Sequence, residues 1–266
     1  MAADDPLAIR VDVRVSQGAD GPKLGLACSD RTTVVPLSQL LSALRSLTNA
    51  VVDAAVERER STGREVSCKA GCGACCRQLV PLSVTEARQL PQLIAGLDEA
   101  HRARVVKRFD EALAKLRTSG MLDSLERFAT LSQHERAQLL SAYFKLGIPC
   151  PFLEEESCSI HAVRPVICRQ FLVTSPPAHC ADASAEAVVP VPIAANVLGA
   201  LQRVEAHEPN PPRSVPLILA LSLNLSPDDA RKTVPVWMSL LLQQIQRIRE
   251  ERVGSGNSPE PSGCTD

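Results

Sequence analysis

Four cysteines stand within nine residues in Cys68-Lys-Ala-Gly-Cys72-Gly-Ala-Cys75-Cys76-Arg77, and a second block follows with Cys150, Cys158, Cys168 and Cys180. Thiols so placed can pair as disulfides, pack as a small apolar knot, act as a nucleophile with resolving partners, or ligate a metal. The start Met-Ala-Ala-Asp-Asp-Pro has neither the basic residues nor the apolar run of a secretory signal, so the expected location is cytoplasmic. Thiols stay reduced there, and ten cysteines in such a chain read as ligands or catalysts before they read as disulfides. Glycines rather than leucine or valine flank the first block, which argues against an apolar knot. Cys28 and Cys264 lie outside both blocks and read as small buried hydrophobes or exposed thiols.

The steps from Cys68 to Cys72 to Cys75, four and three residues, predict three sulfurs on one side of a helical turn. Gly71 and Gly73 loosen that turn, so that backbone N–H groups can approach sulfur and tune a bound metal or cluster. Cys75 and Cys76 would diverge by about a hundred degrees on a helix, so the second block must come close to complete a ligand shell. Four thiolates around Zn²⁺ or around a 4Fe–4S core leave a negative site. Lys69, Arg77, Arg164 and Arg169 are placed to offset it, which makes Arg164 and Arg169 candidate cofactor-binding residues. The same Cys-x3-Cys-x2-Cys spacing serves radical enzymes that bind S-adenosylmethionine on an iron–sulfur cluster. Those need a barrel of alternating strands and helices, which this sequence does not show, and Ala74 stands where their motif has an aromatic.

The elements that must position these thiols are mainly helical. Residues 7–35 alternate in places around a Gly-Ala-Asp-Gly turn and predict a β-hairpin, with a third strand at Thr33–Val35. Pro36 suits the first position of a long helix. Leu37, Leu40, Leu41, Leu44, Leu47, Val51 and Ala55 form its apolar stripe, and Gly63 ends it. Ser83-Val-Thr-Glu86 and Ser132-Gln-His-Glu135 are capping boxes; the first predicts a helix to about Leu90. Val105, Val106, Phe109, Leu113 and Leu116 mark another helix, and two more are expected over 193–206 and 235–252. The expected division is a β element over 1–35, a helical cysteine-cluster domain over 36–252, and a disordered Gly/Ser/Pro-rich tail over 253–266.

Composition sets the function classes aside one by one. The 266 residues are 45% hydrophobic and only 3% aromatic, so the core must be built from Leu, Val, Ile and Ala. A net charge of -1, from 29 basic and 30 acidic side chains, offers no field for nucleic acid or anionic lipid. No apolar run is long enough to span a membrane. There is no Ser/His/Asp set, no phosphate-binding glycine loop and no paired carboxylate near the cysteines. Glu154-Glu-Glu156 reads as a solvated loop. His101, His134 and His207 read as solvent-facing, and His179 is a ligand candidate only through its neighbour Cys180.

Taken together, Cys72-Gly-Ala-Cys75-Cys76, Cys150-Pro-Phe-Leu153, Cys158-Ser-Ile160, Arg164-Pro165 and Cys168-Arg169 resemble the zinc- or iron-chelating cysteine-cluster family, over roughly residues 66–182. Two departures stand out. The first gap is three residues rather than two, and His161 occupies the place of a tyrosine, as a ligand or as a polar substitute. The pattern is also similar to that of the flagellin lysine methylases, which are linked to an iron–sulfur cluster. The resemblance implies a metal site held by Cys68, Cys72, Cys75, Cys76, Cys150, Cys158, Cys168 and Cys180, with an iron–sulfur cluster favoured over zinc. Two functions then compete: an iron–sulfur enzyme modifying a protein or peptide, such as a methyltransferase, and a non-enzymatic zinc protein with a structural or metal-handling role.

Overall fold

The computed structural model describes residues 11–18, 21–28, 31–181, 188–206, 213–226 and 230–254. It is about 60% helical, with short strands arranged in pairs. Strands β1 (Val11–Gly18) and β2 (Gly21–Cys28) form the expected antiparallel hairpin, with Gly18 opposite Gly21. Strand β3 (Val34–Pro36) does not join them. It pairs with β8 (Arg231–Thr233), far along the chain. Pro36 therefore closes a strand instead of opening a helix, and a 3-10 turn over Leu37–Leu40 leads into α1 (Leu41–Ser61).

Helix α2 (Val84–Ala95) starts at the capping box, with Ser83 accepting from the Glu86 amide and the Glu86 carboxylate accepting from the Ser83 amide. It runs past the expected end at Leu90 and through Pro91. Burial of Leu90 and Ile94 outweighs the one backbone bond that a proline cannot donate. Helices α3 (Glu99–Thr118), α4 (Leu122–Glu126) and α5 (Gln133–Lys145) follow, the last opened by the second capping box at Ser132 and Glu135. On α3, Val105, Phe109, Leu113 and Leu116 face inward while Val106 is exposed. Beyond them come the β5 (Leu153–Glu154) and β6 (Ser157–Cys158) hairpin, α6 (Val166–Gln170), α7 (Val197–Glu205) and α8 (Val234–Gly254). Helix α7 starts later than the expected 193 because Asn196 caps it through the Gly199 amide at 2.9 Å. Strand β4 (Pro81–Leu82) pairs with β7 (Val215–Pro216).

Two apolar clusters organise the packing. One gathers α2 to α5, Phe152, Ile160 and residues 215–220; the other gathers α1, α7, α8, Val35 and Val166. The predicted stripe of α1, from Leu37 to Ala55, is buried throughout. With few aromatics, Trp237 carries unusual weight in the second cluster. It is 2% exposed, and its indole N–H donates to the Val35 carbonyl at 2.9 Å, tying α8 to β3. No helix among the described residues is long and apolar enough to cross a membrane. The tail expected beyond 253 lies almost wholly outside the described residues, as do His207 and Cys264.

Trp237→Phe keeps most of the apolar volume but leaves the buried Val35 carbonyl without its donor. A loss of about 1–3 kcal/mol in urea-induced unfolding is expected, against almost none for Val106→Ala on the exposed face of α3.

Candidate metal centre

The first cysteine block is not a helical turn. Residues 66–73 are irregular, and only Ala74–Arg77 form a 3-10 turn. Gly71 has φ +83°, a conformation that ends any right-handed helix before it reaches Cys75. The segment is instead held by distant chain. The Ser67 amide donates to the Val173 carbonyl at 2.9 Å, the Val173 amide approaches the Cys68 sulfur at 3.4 Å, and the Cys150 amide donates to the Cys76 carbonyl at 2.7 Å. The 3-10 turn over Pro177–Ala181, which carries Cys180, lies against the turn of Cys75 and Cys76.

The second block hangs on a small hairpin. Glu155 and Glu156, at φ +47° and +59°, make its two-residue turn between β5 and β6. Left-handed backbone costs about 1–2 kcal/mol per ordinary residue, so this turn needs support. Arg77 supplies it, gripping both Glu156 oxygens at 2.6 and 3.0 Å while also donating to the Gly73 carbonyl. Arg104 and Arg108 of α3 hold Glu154, and Arg108 also reaches the Pro151 carbonyl. The acidic run, expected to be a solvated loop, is therefore a clamped turn that brings Cys158 against the first block. The close approach explains Gly73: a Cβ there would lie 2.7 Å from the Leu153 Cδ1 and 3.1 Å from the Glu156 Cα.

All eight of these cysteines are unpaired, Cys180 buried and the others half-buried. Burial is the first cause raising the thiol pKa at Cys68, Cys158 and Cys168, and it pushes Cys150 up to about 12 and Cys180 up to about 11. At Cys75 the leading cause is the hydrogen bond its own S–H donates to the neighbouring Cys76 sulfur, with burial second. Mutual repulsion shows which sulfurs share a neighbourhood. Cys68 and Cys180 feel Cys72 and Cys75; Cys150, Cys158 and Cys168 feel Cys75. Cys75 is common to both groups.

Opposing these are backbone amides that favour thiolate: Val173 at Cys68, Phe152 at Cys150 and Ile160 at Cys158. Among the described residues no three or more His, Cys, Asp or Glu side chains form a ready ligand set for a metal ion. The fit lies in the donors themselves. Unpaired soft sulfurs lie near enough to act on one another, and Cys68, Cys150 and Cys158 have amide N–H groups directed at them, which is the donor chemistry of zinc and of iron–sulfur clusters.

The arginines divide. Arg169 is 5% exposed, and its donors are spent on the Arg164 carbonyl at 3.1 Å, the Ala162 carbonyl at 2.6 Å and Asn49 at 2.9 Å. It shapes the 161–164 turn and acts on Cys158 and Cys168 only through its charge. Arg164 acts on Cys68, Cys75 and Cys158, and its Nε is buried without a hydrogen-bond partner. His161 is exposed, and the Arg164 charge, then burial, lowers its pKa. His101 is not simply solvent-facing: its Nε2 lies 2.9 Å from the Ser159 hydroxyl, beside Cys158. His134 contacts Gln138 on the exposed face of α5. Cys28 ends β2, in the hairpin that rests on α1 and α8.

Two substitutions test this geometry. Gly73→Ala should push the β5–β6 hairpin away and lower both metal retention and melting temperature, whereas Gly96→Ala, whose nearest atom would be 3.5 Å away, should do neither. Arg169→Gln should cost about 1.5–3 kcal/mol by leaving two carbonyls and Asn49 without a charged donor, while Arg117→Gln on the exposed side of α3 should be neutral in the same denaturation assay.

A comparison with family models matches residues 67–187 to the model CxxCxxCC, described as a "putative zinc- or iron-chelating domain". No curated protein and no solved structure matches the chain. The matched segment starts just before Cys68, ends past Cys180, and includes all eight converging cysteines. Over residues 67–187 the chain is similar to that zinc- or iron-chelating domain.

Proposed function

We propose that the protein binds an iron–sulfur cluster of the 4Fe–4S type through thiols drawn from Cys68, Cys72, Cys75, Cys76, Cys150, Cys158, Cys168 and Cys180, and that the loaded centre serves a cytoplasmic enzyme of the transferase class that modifies a protein or peptide. One observation carries the reading: backbone amides are directed at Cys68, Cys150 and Cys158, in segments brought together from three parts of the chain. Amide-to-sulfur hydrogen bonds stabilise thiolate and set the potential of a cluster. Eight thiols also exceed what one tetrahedral zinc ion takes. When bound, the cluster would supply an electrophile or an electron source. The chain's own share is to hold the sulfurs, shield them with the apolar residues around Phe152 and Ile160, and balance their charge with Arg164 and Arg169.

A zinc-bound structural role has one observation of its own. Cys150 and Cys158 pack against the first apolar cluster, while Cys168 sits on α6 between Ile167 and Arg169, with Val166 and Ile167 in the second. An ion shared by these thiols would staple the two clusters together.

Elemental analysis and visible absorption of protein purified without air separate the two. Iron and sulfide with a brown charge-transfer shoulder are expected; a colourless protein with stoichiometric zinc rules out the cluster and leaves the staple. Cys75→Ser, Cys150→Ser and Cys168→Ser should each lose metal and stability together, because metal affinity in such sites is folding energy. Cys28→Ser should lose neither.

The pH dependence has opposite signs in the two forms. Ligation requires thiolate, so metal retention against a chelator should rise with pH and fall on acidification. In the metal-free chain burial holds the thiols of Cys68, Cys150, Cys158, Cys168 and Cys180 neutral above their unfolded pKa of about 8.5. That contribution is fully present below about 8.5 and is lost as pH climbs toward the value near 12 at Cys150. Unfolding curves measured with and without metal across pH 7 to 10 should therefore diverge.

A further inference from the structure

A cavity of about 380 Å³ opens between α1, α2 and the chain that follows Cys158. That volume lies within the range of small-ligand sites. At about 30 Å³ per water it would hold roughly a dozen, or a ligand of roughly ten heavy atoms. Its walls are apolar where α2 and the post-Cys158 segment face each other, through Leu93, Ile160 and Val163, and its charged lining residues are Arg45 and Glu86.

The two charges are not equivalent. Both oxygens of Glu86 are occupied by backbone amides, Val166 at 2.8 Å and Ser83 at 3.2 Å, and the side chain is 5% exposed. Arg45 has no such satisfaction. Its Nε is buried without a hydrogen-bond partner, and Glu86 acts on it through space. The Arg45 side chain is half-buried, and an unmet buried donor is costly, more so when it is charged. Burial also lowers the pKa of this arginine, the direction expected of a cation held in too apolar a setting.

We propose that the cavity binds a small carboxylate with an apolar body, the carboxylate on the Arg45 guanidinium and the body between Leu93, Ile160 and Val163. A planar fork of donors matches a carboxylate in two parallel bonds. Arg45 is the cationic residue among those lining the cavity, so a doubly charged group such as phosphate would be left under-neutralised at the same place. Ile160 and Val163 belong to the segment that runs from Cys158 to Cys168, so the ligand would rest on chain that carries two of the eight cysteines. The site stands on its own lining and does not depend on which metal the cysteines hold.

Calorimetric titration of the full chain with straight-chain carboxylates from butanoate to decanoate, each paired with its uncharged amide, tests this. At least one carboxylate should bind at least tenfold more tightly than its amide. Arg45→Gln should reduce its affinity to that of the amide, Arg45→Lys should fall between, and inorganic phosphate should not displace it. Metal content should be unchanged in both variants, which separates this site from the cysteine centre. Equal affinity for carboxylate and amide, displacement by phosphate, undiminished binding by Arg45→Gln, or no binding by any member of the series would each overturn the proposal.

Discussion

The buried carboxylate of Glu86 is the constraint on which the arrangement of the cysteine centre depends. It accepts the Ser83 amide, which starts α2, and the Val166 amide, which starts α6. One side chain thus sets the entry of two helices that are eighty residues apart. Cys168 lies two residues beyond Val166, so its position follows from where that amide is held. The choice carries a penalty: burial raises the Glu86 pKa, and the two amides and Arg45 only partly oppose it. Glu205 does the parallel job next door, accepting the Val84 and Thr85 amides, so the N-terminus of α2 is satisfied by two carboxylates from different parts of the chain.

Around that fixed point the sulfurs are placed by backbone rather than by a regular element. Val173 and Phe152 present amides to Cys68 and Cys150, and the Cys150 amide bonds the Cys76 carbonyl. The Val173 contact spans 105 residues and the bond from Cys150 to Cys76 also joins distant chain, whereas Phe152 lies just beyond the cysteine it serves. The first block has little local structure of its own beyond the short turn over Ala74–Arg77. The left-handed turn at Glu155 and Glu156 shows how much is spent on bringing Cys158 in: an unfavourable backbone is kept because Arg77, from the first block, and Arg104 and Arg108, from α3, hold the carboxylates on either side of it. Arg77 is thus a strut between the blocks, joined by hydrogen bonds to Gly73 on one side and Glu156 on the other.

What the sequence makes legible follows from range. Both capping boxes, the stripe of α1 and the hairpin at Gly18–Gly21 rest on residues a few positions apart, and each appears where the local pattern puts it. The clustering of the cysteines and their metal-chelating class are likewise written in spacing and residue type. The pairing of β3 with β8, the passage of α2 through Pro91 and the clamped turn at Glu155 are decided by partners distant in sequence, and no local period announces them. The same holds for the first block. Its three- and four-residue steps look helical, but Gly71 in a left-handed conformation and the bond from Ser67 to Val173 give it another course. Glu86 hides best of all, because its capping-box role accounts for its presence and conceals the second amide it accepts.

The two arginines of the Cys158–Cys168 segment look alike in sequence and differ in what they can still do. Arg169 has committed its guanidinium to two carbonyls and Asn49, so any charge that thiolates develop can be met by it only at a distance. Arg164 acts on sulfurs of both blocks, Cys68 and Cys75 in one and Cys158 in the other, and keeps a buried Nε–H without an acceptor. A buried donor without an acceptor is costly to the chain that holds it. The asymmetry is one of commitment: Arg169 builds the turn through its hydrogen bonds, while Arg164 reaches sulfurs of both blocks through its charge.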